Sequence, residues 1–172
     1  MGNRSRLLAI SCVVAGVLRW DVASGTPADP PSRVQLPAGV ARLWVEAAVE
    51  GAARRLNDPR CQEVLGDFAD AEGRTLMAVL TARQQTPSQY LHDVRFVDGG
   101  RESQCKRIGM GAFTSPGSRV IFMCPRLFRL QLGSKHHEIL VIHELLHTLG
   151  LGENPPTSER ITQQIRKRCG GV

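Results

Sequence analysis

The chain has 172 residues, with 22 lysines and arginines against 16 aspartates and glutamates, which gives a formal net charge of +6 at neutral pH. This length suits one domain with a substantial hydrophobic core. The basic residues are scattered rather than gathered into one footprint, and an aromatic content of 5% is too low for a surface that stacks bases. The composition therefore argues against nucleic acid as a partner.

The first 25 residues have the pattern of a secretory signal peptide. Arg4 and Arg6 form its basic beginning, and residues 7–18 form an apolar stretch. Small residues at 23–25 suit a cleavage site. Because the apolar stretch is shorter than the roughly 20 residues of a membrane span, we predict cleavage and no stable membrane insertion afterwards. An uncleaved N-terminal anchor is the alternative.

The remainder of the chain divides into a linker and one domain. Cleavage after residue 25 leaves 147 of the 172 residues and lowers the formal charge to +4, since three arginines and one aspartate leave. Residues 26–37 contain four prolines and no periodic pattern, which indicates a Pro-rich linker. The domain is then expected to cover residues 38–172.

Helical spacing dominates the first half of this domain. Apolar residues recur at three- and four-residue intervals over 40–56 and predict a helix, which the sequence Asn57–Pro59 ends. A second helix is expected within residues 60–72, while residues 74–83 suit either a helix or a strand. Residues 91–97 alternate and predict a strand.

The second half begins with a hairpin pattern and ends with two helices. Residues 110–114 and 119–123 predict two strands, joined by a turn at Ser115–Ser118. Helices are predicted at residues 134–149 and 158–168.

Four cysteines remain once Cys12 has left with the signal peptide. An even number in an exported chain predicts two disulfides, and four cysteines allow three connectivities. Cys105 and Cys124 flank the hairpin, whose antiparallel strands bring their ends together, so we pair these two. Cys61 is then left to hold Cys169 at the end of the last helix.

The helix predicted at residues 134–149, with Ser134 as its cap, is apolar nearly all round and should be buried. Burying His143, Glu144 and His147 in such a helix is costly unless a partner satisfies them. Because His143 and His147 lie one turn apart on one face, both imidazoles can reach a single metal ion. Zinc accepts neutral histidine nitrogen, and Glu144 would lie beside it as a general base. A histidine pair satisfied within the core is the alternative.

The segment His143–Glu153 resembles the zincin metallopeptidases, and within them the extended HExxHxxGxxH/D motif of the metzincins. The resemblance implies Zn2+ as the cofactor, with His143, His147 and Glu153 as its ligands and Glu144 as the catalytic base. It also implies a turn at Gly150, where glycine accepts a positive φ. The fold class expected from it is α+β, a minimal zincin-like domain with a small twisted sheet, the active-site helix, and N- and C-terminal helices.

The chain departs from the metzincin pattern at the third ligand and in the segment after it. The last methionine is Met123, so the chain has no recognisable methionine turn after the motif. Glu153 stands where metzincins have His or Asp. Gluzincins use a glutamate further downstream, which makes Glu159 the rival ligand, and Asn154 is a weaker donor. Gly150 and the prolines after Asn154 favour the tight return to Glu153.

The hairpin and the strand at 119–123 also resemble the segment before the helix in small secreted zincins. In those proteins this strand is typically the sheet edge along which substrate lies. We therefore expect a secreted or periplasmic zinc-dependent hydrolase of peptide bonds, with a peptide or protein as substrate. A zinc-dependent amidase acting on cell-wall material and a non-catalytic exported zinc-binding module are the alternatives.

Overall fold

The computed structural model describes residues 33–128 and 133–171, without the side chains of 127 and 128. The expected signal peptide and residues 26–32 of the expected linker lie outside the described residues. The described part of the chain is mixed α+β, as predicted, with helices packed on a small sheet. Over 33–128 and 133–171, no helix has the length and apolar character required to cross a membrane.

Short strands alternate with helices along the chain. The strands are β1 (Val34–Gln35), β2 (Arg95–Asp98), β3 (Ala112–Phe113) and β4 (Val120–Met123). The helices are α1 (Val40–Leu56), α2 (Pro59–Gln62), α3 (Leu76–Ala82), α4 (Pro87–Asp93), α5 (Pro125–Phe128), α6 (Ser134–Thr148) and α7 (Ser158–Cys169).

The four strands form one sheet in the order β1-β2-β4-β3. Strands β1, β2 and β4 run parallel, and β3 pairs antiparallel with β4. Two expectations change as a result. Val34 is buried and pairs with Phe96, so residues 34–35 of the expected linker belong to the sheet. The strand after the hairpin turn, β4, was expected at the edge of the sheet. It lies between β2 and β3 instead, and β3 forms the edge.

Helix α4 replaces the first part of the strand predicted at residues 91–97. Thr86 accepts a hydrogen bond from the backbone N–H of Gln89, whose side chain in turn accepts from the backbone N–H of Thr86. This capping box and Pro87 at the first helical position stabilise a helix start. Local capping therefore outweighs the alternation, and β2 begins only at Arg95.

Helices α1 and α6 pack closely because α1 presents Gly51 to α6. A Cβ atom at Gly51 would lie 2.5 Å from Cδ of Glu138 on α6. Arg55, one turn later on α1, donates from Nε to Glu138 Oε2 at 2.6 Å and from Nη1 to the carbonyl of Cys169 at 2.7 Å. A single, nearly buried guanidinium thus joins α1 to both α6 and the end of α7.

Both predicted disulfides are confirmed. Cys61 pairs with Cys169 at a Cα–Cα distance of 4.4 Å, and Cys105 pairs with Cys124 at 5.2 Å. Both distances lie within the usual range for disulfides. The first bridge fixes the C-terminal end of α7, and the second closes the segment that contains β3 and the hairpin turn.

Replacing Cys61 and Cys169 by serine is expected to lower the free energy of unfolding more than replacing Cys105 and Cys124. A longer closed loop restricts the unfolded chain more strongly, and the chain-entropy relation gives about 5 kcal/mol for a separation of 108 residues against about 3 kcal/mol for 19. Denaturant unfolding of the two double variants measures the difference. A larger loss in the Cys105/Cys124 variant would contradict this expectation.

Gly51→Ala is expected to destabilise the protein, although alanine ordinarily favours a helix over glycine by about 1 kcal/mol. The added methyl group would displace Glu138, which cannot move without losing its ion pair with Arg55. We expect a loss of about 1–3 kcal/mol in denaturant unfolding, as for an overpacked core. Gly66→Ala is the control, because its Cβ would meet only the Glu63 carbonyl, at 3.4 Å. Greater stability of Gly51→Ala would rule out the close approach.

Candidate metal centre

Helix α6 carries the predicted histidines and lies almost wholly inside the protein. From His137 to Thr148, every residue except Leu140 is buried. The N-cap is Gly133, and no side chain caps the helix start, so the expectation that Ser134 is the cap is wrong. Ser134 already has helical conformation, and its hydroxyl therefore cannot take the capping position. The burial itself is as predicted, and it includes the three predicted residues His143, Glu144 and His147, whose ionisable side chains need partners.

Three of the predicted residues meet at one point. Oε1 of Glu153 lies 3.7 Å from Nε2 of His143 and 3.6 Å from Nε2 of His147. One ligand atom from each residue lies within 4.8 Å of the other two. Donors that bind one zinc ion at about 2 Å in a tetrahedron are about 3.3 Å apart, so the spacing is close to that of a ligand set. Two imidazoles and a carboxylate suit zinc, and imidazole also suits iron, nickel and copper. The group could therefore hold a metal ion.

A turn at Gly150 brings Glu153 back to the helix, as predicted. Gly150 has a φ of +111°, and its N–H donates to the carbonyl of His147 at 2.9 Å. A Cβ atom at this position would also lie 3.0 Å from Cβ of Asp70. Both the backbone conformation and the close neighbour thus require glycine.

Tyr90 stabilises the C-terminal end of the same helix. Its buried hydroxyl donates a hydrogen bond to the carbonyl of Thr148 at 2.9 Å.

Each of the two histidines has a partner for its other ring nitrogen. Nδ1 of His147 lies 2.7 Å from the carbonyl oxygen of Leu151, and Nδ1 of His143 lies 2.9 Å from Oγ1 of Thr162. A carbonyl can only accept, so the Nδ1 atom of His147 carries the proton. Its Nε2 atom then presents a lone pair towards Glu153, as a metal ligand requires.

The electrostatics of the site favour a bound cation. Burial and the neighbouring His147 lower the pKa of His143 to about 4, which leaves the imidazole neutral at pH 7 and able to bind a metal. Burial and then the Glu153 carboxylate raise the pKa of Glu144 to about 8. A cation held by the three-residue group would oppose the rise at Glu144, because a nearby positive charge favours the carboxylate form.

A cleft of about 570 Å3 opens onto this group. Its floor is α6, with Leu140, His143, Glu144 and His147, and the first turns of α7 border it. The opposite wall is β3 with the segment 107–111 that precedes it. Glu144 is buried and lines the cleft together with the two histidines, and its role as a base stays a prediction.

The rival ligand lies elsewhere. Glu159 is exposed in the first turn of α7 and does not belong to the group of His143, His147 and Glu153. No sequence pattern indicated Thr162 or Ser158, whose hydroxyls approach His143. The one feature they share in the sequence is a spacing of one helical turn on α7. This spacing does not predict a contact with His143 unless the packing of α7 against α6 is known.

Glu153→Ala is expected to weaken zinc binding far more than Glu159→Ala, because of these two carboxylates Glu153 is the one that lies beside both imidazoles. His143→Ala or His147→Ala should abolish stoichiometric binding, since a buried ligand is lost. Competition with a chromophoric chelator gives the affinity, and elemental analysis gives the stoichiometry. Glu159→Ala is the matched control. The assignment fails if Glu159→Ala loses zinc while Glu153→Ala keeps it.

The chain matches no protein-family model, no curated protein and no solved structure. A function for the cleft therefore has to be inferred from its own residues, their distances and their charges.

Proposed function

We propose that the protein is a zinc-dependent hydrolase of peptide bonds that acts outside the cytoplasm. The observation that carries this proposal is the convergence of two histidine nitrogens and one carboxylate in a cleft that the buried Glu144 also lines. Three protein ligands leave one coordination position open, which is the arrangement of catalytic zinc sites. Structural zinc sites have four protein ligands, whereas the described residues bring three together.

His143, His147 and Glu153 would hold the metal, and their donor types and spacing fit zinc. Zinc, when bound there, supplies a Lewis acid that polarises a carbonyl and makes water more acidic. Glu144 accepts the proton of the attacking water at its carboxylate and delivers that proton to the leaving amine. Its burial keeps solvent away from the proton that it carries. The sequence His-Glu-x-x-His alone supports this division of roles, and the resemblance to zincins adds to it.

The wall of the cleft supports a peptide as substrate. Strand β3 pairs with β4 on one side and, among the described strands, has no neighbour on the other. An edge strand offers unpaired N–H and C=O groups to which an extended peptide can bind as a further strand. Ile108 is 97% exposed at the same cleft, and Met110 and Phe113 also line it. Such apolar side chains suit contacts with the apolar side chains of an extended peptide.

Export is supported by the two disulfides. Disulfides persist in oxidising compartments and are rare in the reducing cytoplasm. The expected signal peptide at residues 1–25 indicates the same route. A secreted or periplasmic location is therefore part of the proposal.

Glu144→Gln is expected to retain stoichiometric zinc, because the three metal ligands are unchanged. It is expected to lose turnover, because the glutamine amide cannot accept the proton of the attacking water. Loss of a general base typically costs about 10²–10⁴-fold in rate. Elemental analysis and a peptide-library cleavage assay measure the two properties on one sample. Glu159→Gln, the same change at an exposed position of α7, is the matched control. Full activity of Glu144→Gln would overturn the mechanism, and an uncleaved peptide library together with cleaved cell-wall fragments would favour the amidase.

A further inference from the structure

Two hydroxyl groups on α7 approach the two ring nitrogens of His143. Oγ1 of Thr162 lies 2.9 Å from Nδ1, and Oγ of Ser158 lies 3.5 Å from Nε2. The two residues are four positions apart and so lie on one face of the helix. Nε2 is also the atom that lies 3.7 Å from Glu153. Helix α7 therefore contacts both the outer and the metal-facing side of the same imidazole.

We propose that Thr162 is a positioning residue that fixes the orientation of the His143 ring and supports the tautomer with its proton on Nδ1, so that α7 is part of the metal centre. The proposal rests on the proposed function only in taking Nε2 of His143 as a metal ligand. In a neutral imidazole one nitrogen carries the proton and the other accepts. Binding a metal through Nε2 therefore requires a proton on Nδ1, and this N–H then donates a hydrogen bond to Oγ1 of Thr162.

Ser158 gives this arrangement a competitor. If the proton moves to Nε2, that nitrogen can donate to the Ser158 hydroxyl, and no lone pair then faces Glu153. The side chain of His143 is only 7% exposed, so water does little to satisfy its nitrogens. The Thr162 hydroxyl accepts a hydrogen bond from Nδ1–H in the tautomer that binds a metal, and it can donate to Nδ1 in the other tautomer. In both cases it keeps Nδ1 turned towards α7 and Nε2 turned towards Glu153.

The packing of α7 holds Thr162 in place. Ile161 and Ile165 flank Thr162 on the helix and are fully buried. Two turns further on, Cys169 is bridged to Cys61, and its carbonyl accepts the hydrogen bond from Arg55. His147 differs, because its outer partner is the backbone carbonyl of Leu151. A side-chain substitution can remove the outer partner of His143 only.

The test is the zinc affinity of variants at position 162, measured by chelator competition without any substrate. Thr162→Val keeps the shape and removes the acceptor, so we expect zinc to bind about 10–100-fold more weakly, as for other outer partners of metal-binding histidines. Thr162→Ser keeps the hydroxyl and should stay close to the unsubstituted protein. Gln163→Ala, at the next residue of α7, controls for general perturbation of the helix because Gln163 is exposed.

A spectroscopic measurement separates positioning from stability. Cobalt(II) bound in place of zinc reports ligand geometry through its visible absorption, and Thr162→Val should alter that spectrum while Thr162→Ser restores it. Should Thr162→Val fail to fold, Thr162→Ala removes the same hydroxyl without placing a methyl group against Nδ1 of His143. Unchanged zinc affinity in the folded valine or alanine variant, or an equal loss in Thr162→Ser, would overturn the proposal.

Failure of the hydrolase proposal gives a different pattern. Absence of peptide cleavage, together with weak zinc binding in Thr162→Val only, would reject the hydrolase and retain the role of Thr162. Loss of cleavage in Glu144→Gln, together with normal zinc affinity in Thr162→Val, would retain the hydrolase and reject the role of Thr162.

Discussion

The structure depends on the burial of α6, a helix that carries ionisable side chains along much of its length. Buried polar groups in such a helix need partners, and different parts of the chain supply them for three of its ionisable side chains. Glu138 is paired by Arg55 of α1. His143 is paired by Thr162 of α7, and His147 by the backbone of the turn after the helix. Helices α1 and α7 and the turn after α6 thus supply partners for the buried side chains of α6.

The two ends of α6 differ in the partners of their buried side chains. At the N-terminal end, the ion pair between Glu138 and Arg55 is complete within the protein. At the C-terminal end, the outer nitrogens of both histidines are satisfied, while their Nε2 atoms converge with Glu153 at the cleft. The internal partners thus orient the imidazoles so that their Nε2 atoms lie together with Glu153, in a group that could hold a metal ion.

The parts of the site that could be predicted from sequence are those set by local geometry. The spacing of His143 and His147 puts them on one helix face, and Gly150 allows the turn to Glu153. The pairing of Cys105 with Cys124 followed from a hairpin, and that of Cys61 with Cys169 followed by elimination. The parts that were missed depend on tertiary placement or on competing local signals. Helix α4 forms where an alternating pattern predicted a strand, because a capping box stabilises the helix start. The edge position of β3 depends on the pairing of β4 with β2. Thr162 lies beside His143 only because α7 packs against α6.

The long disulfide also gives the chain an order of maturation. During synthesis from the N-terminus, Cys105 and Cys124 emerge close together, whereas Cys61 emerges 108 residues before its partner. The thiol of Cys61 stays open to thiol–disulfide exchange with Cys105 or Cys124 until then. The same late segment brings the hydroxyl of Thr162 to His143. Closure of the last covalent bond and completion of the imidazole's surroundings thus coincide, and a chain cut short before α7 would reveal itself by a free thiol at Cys61.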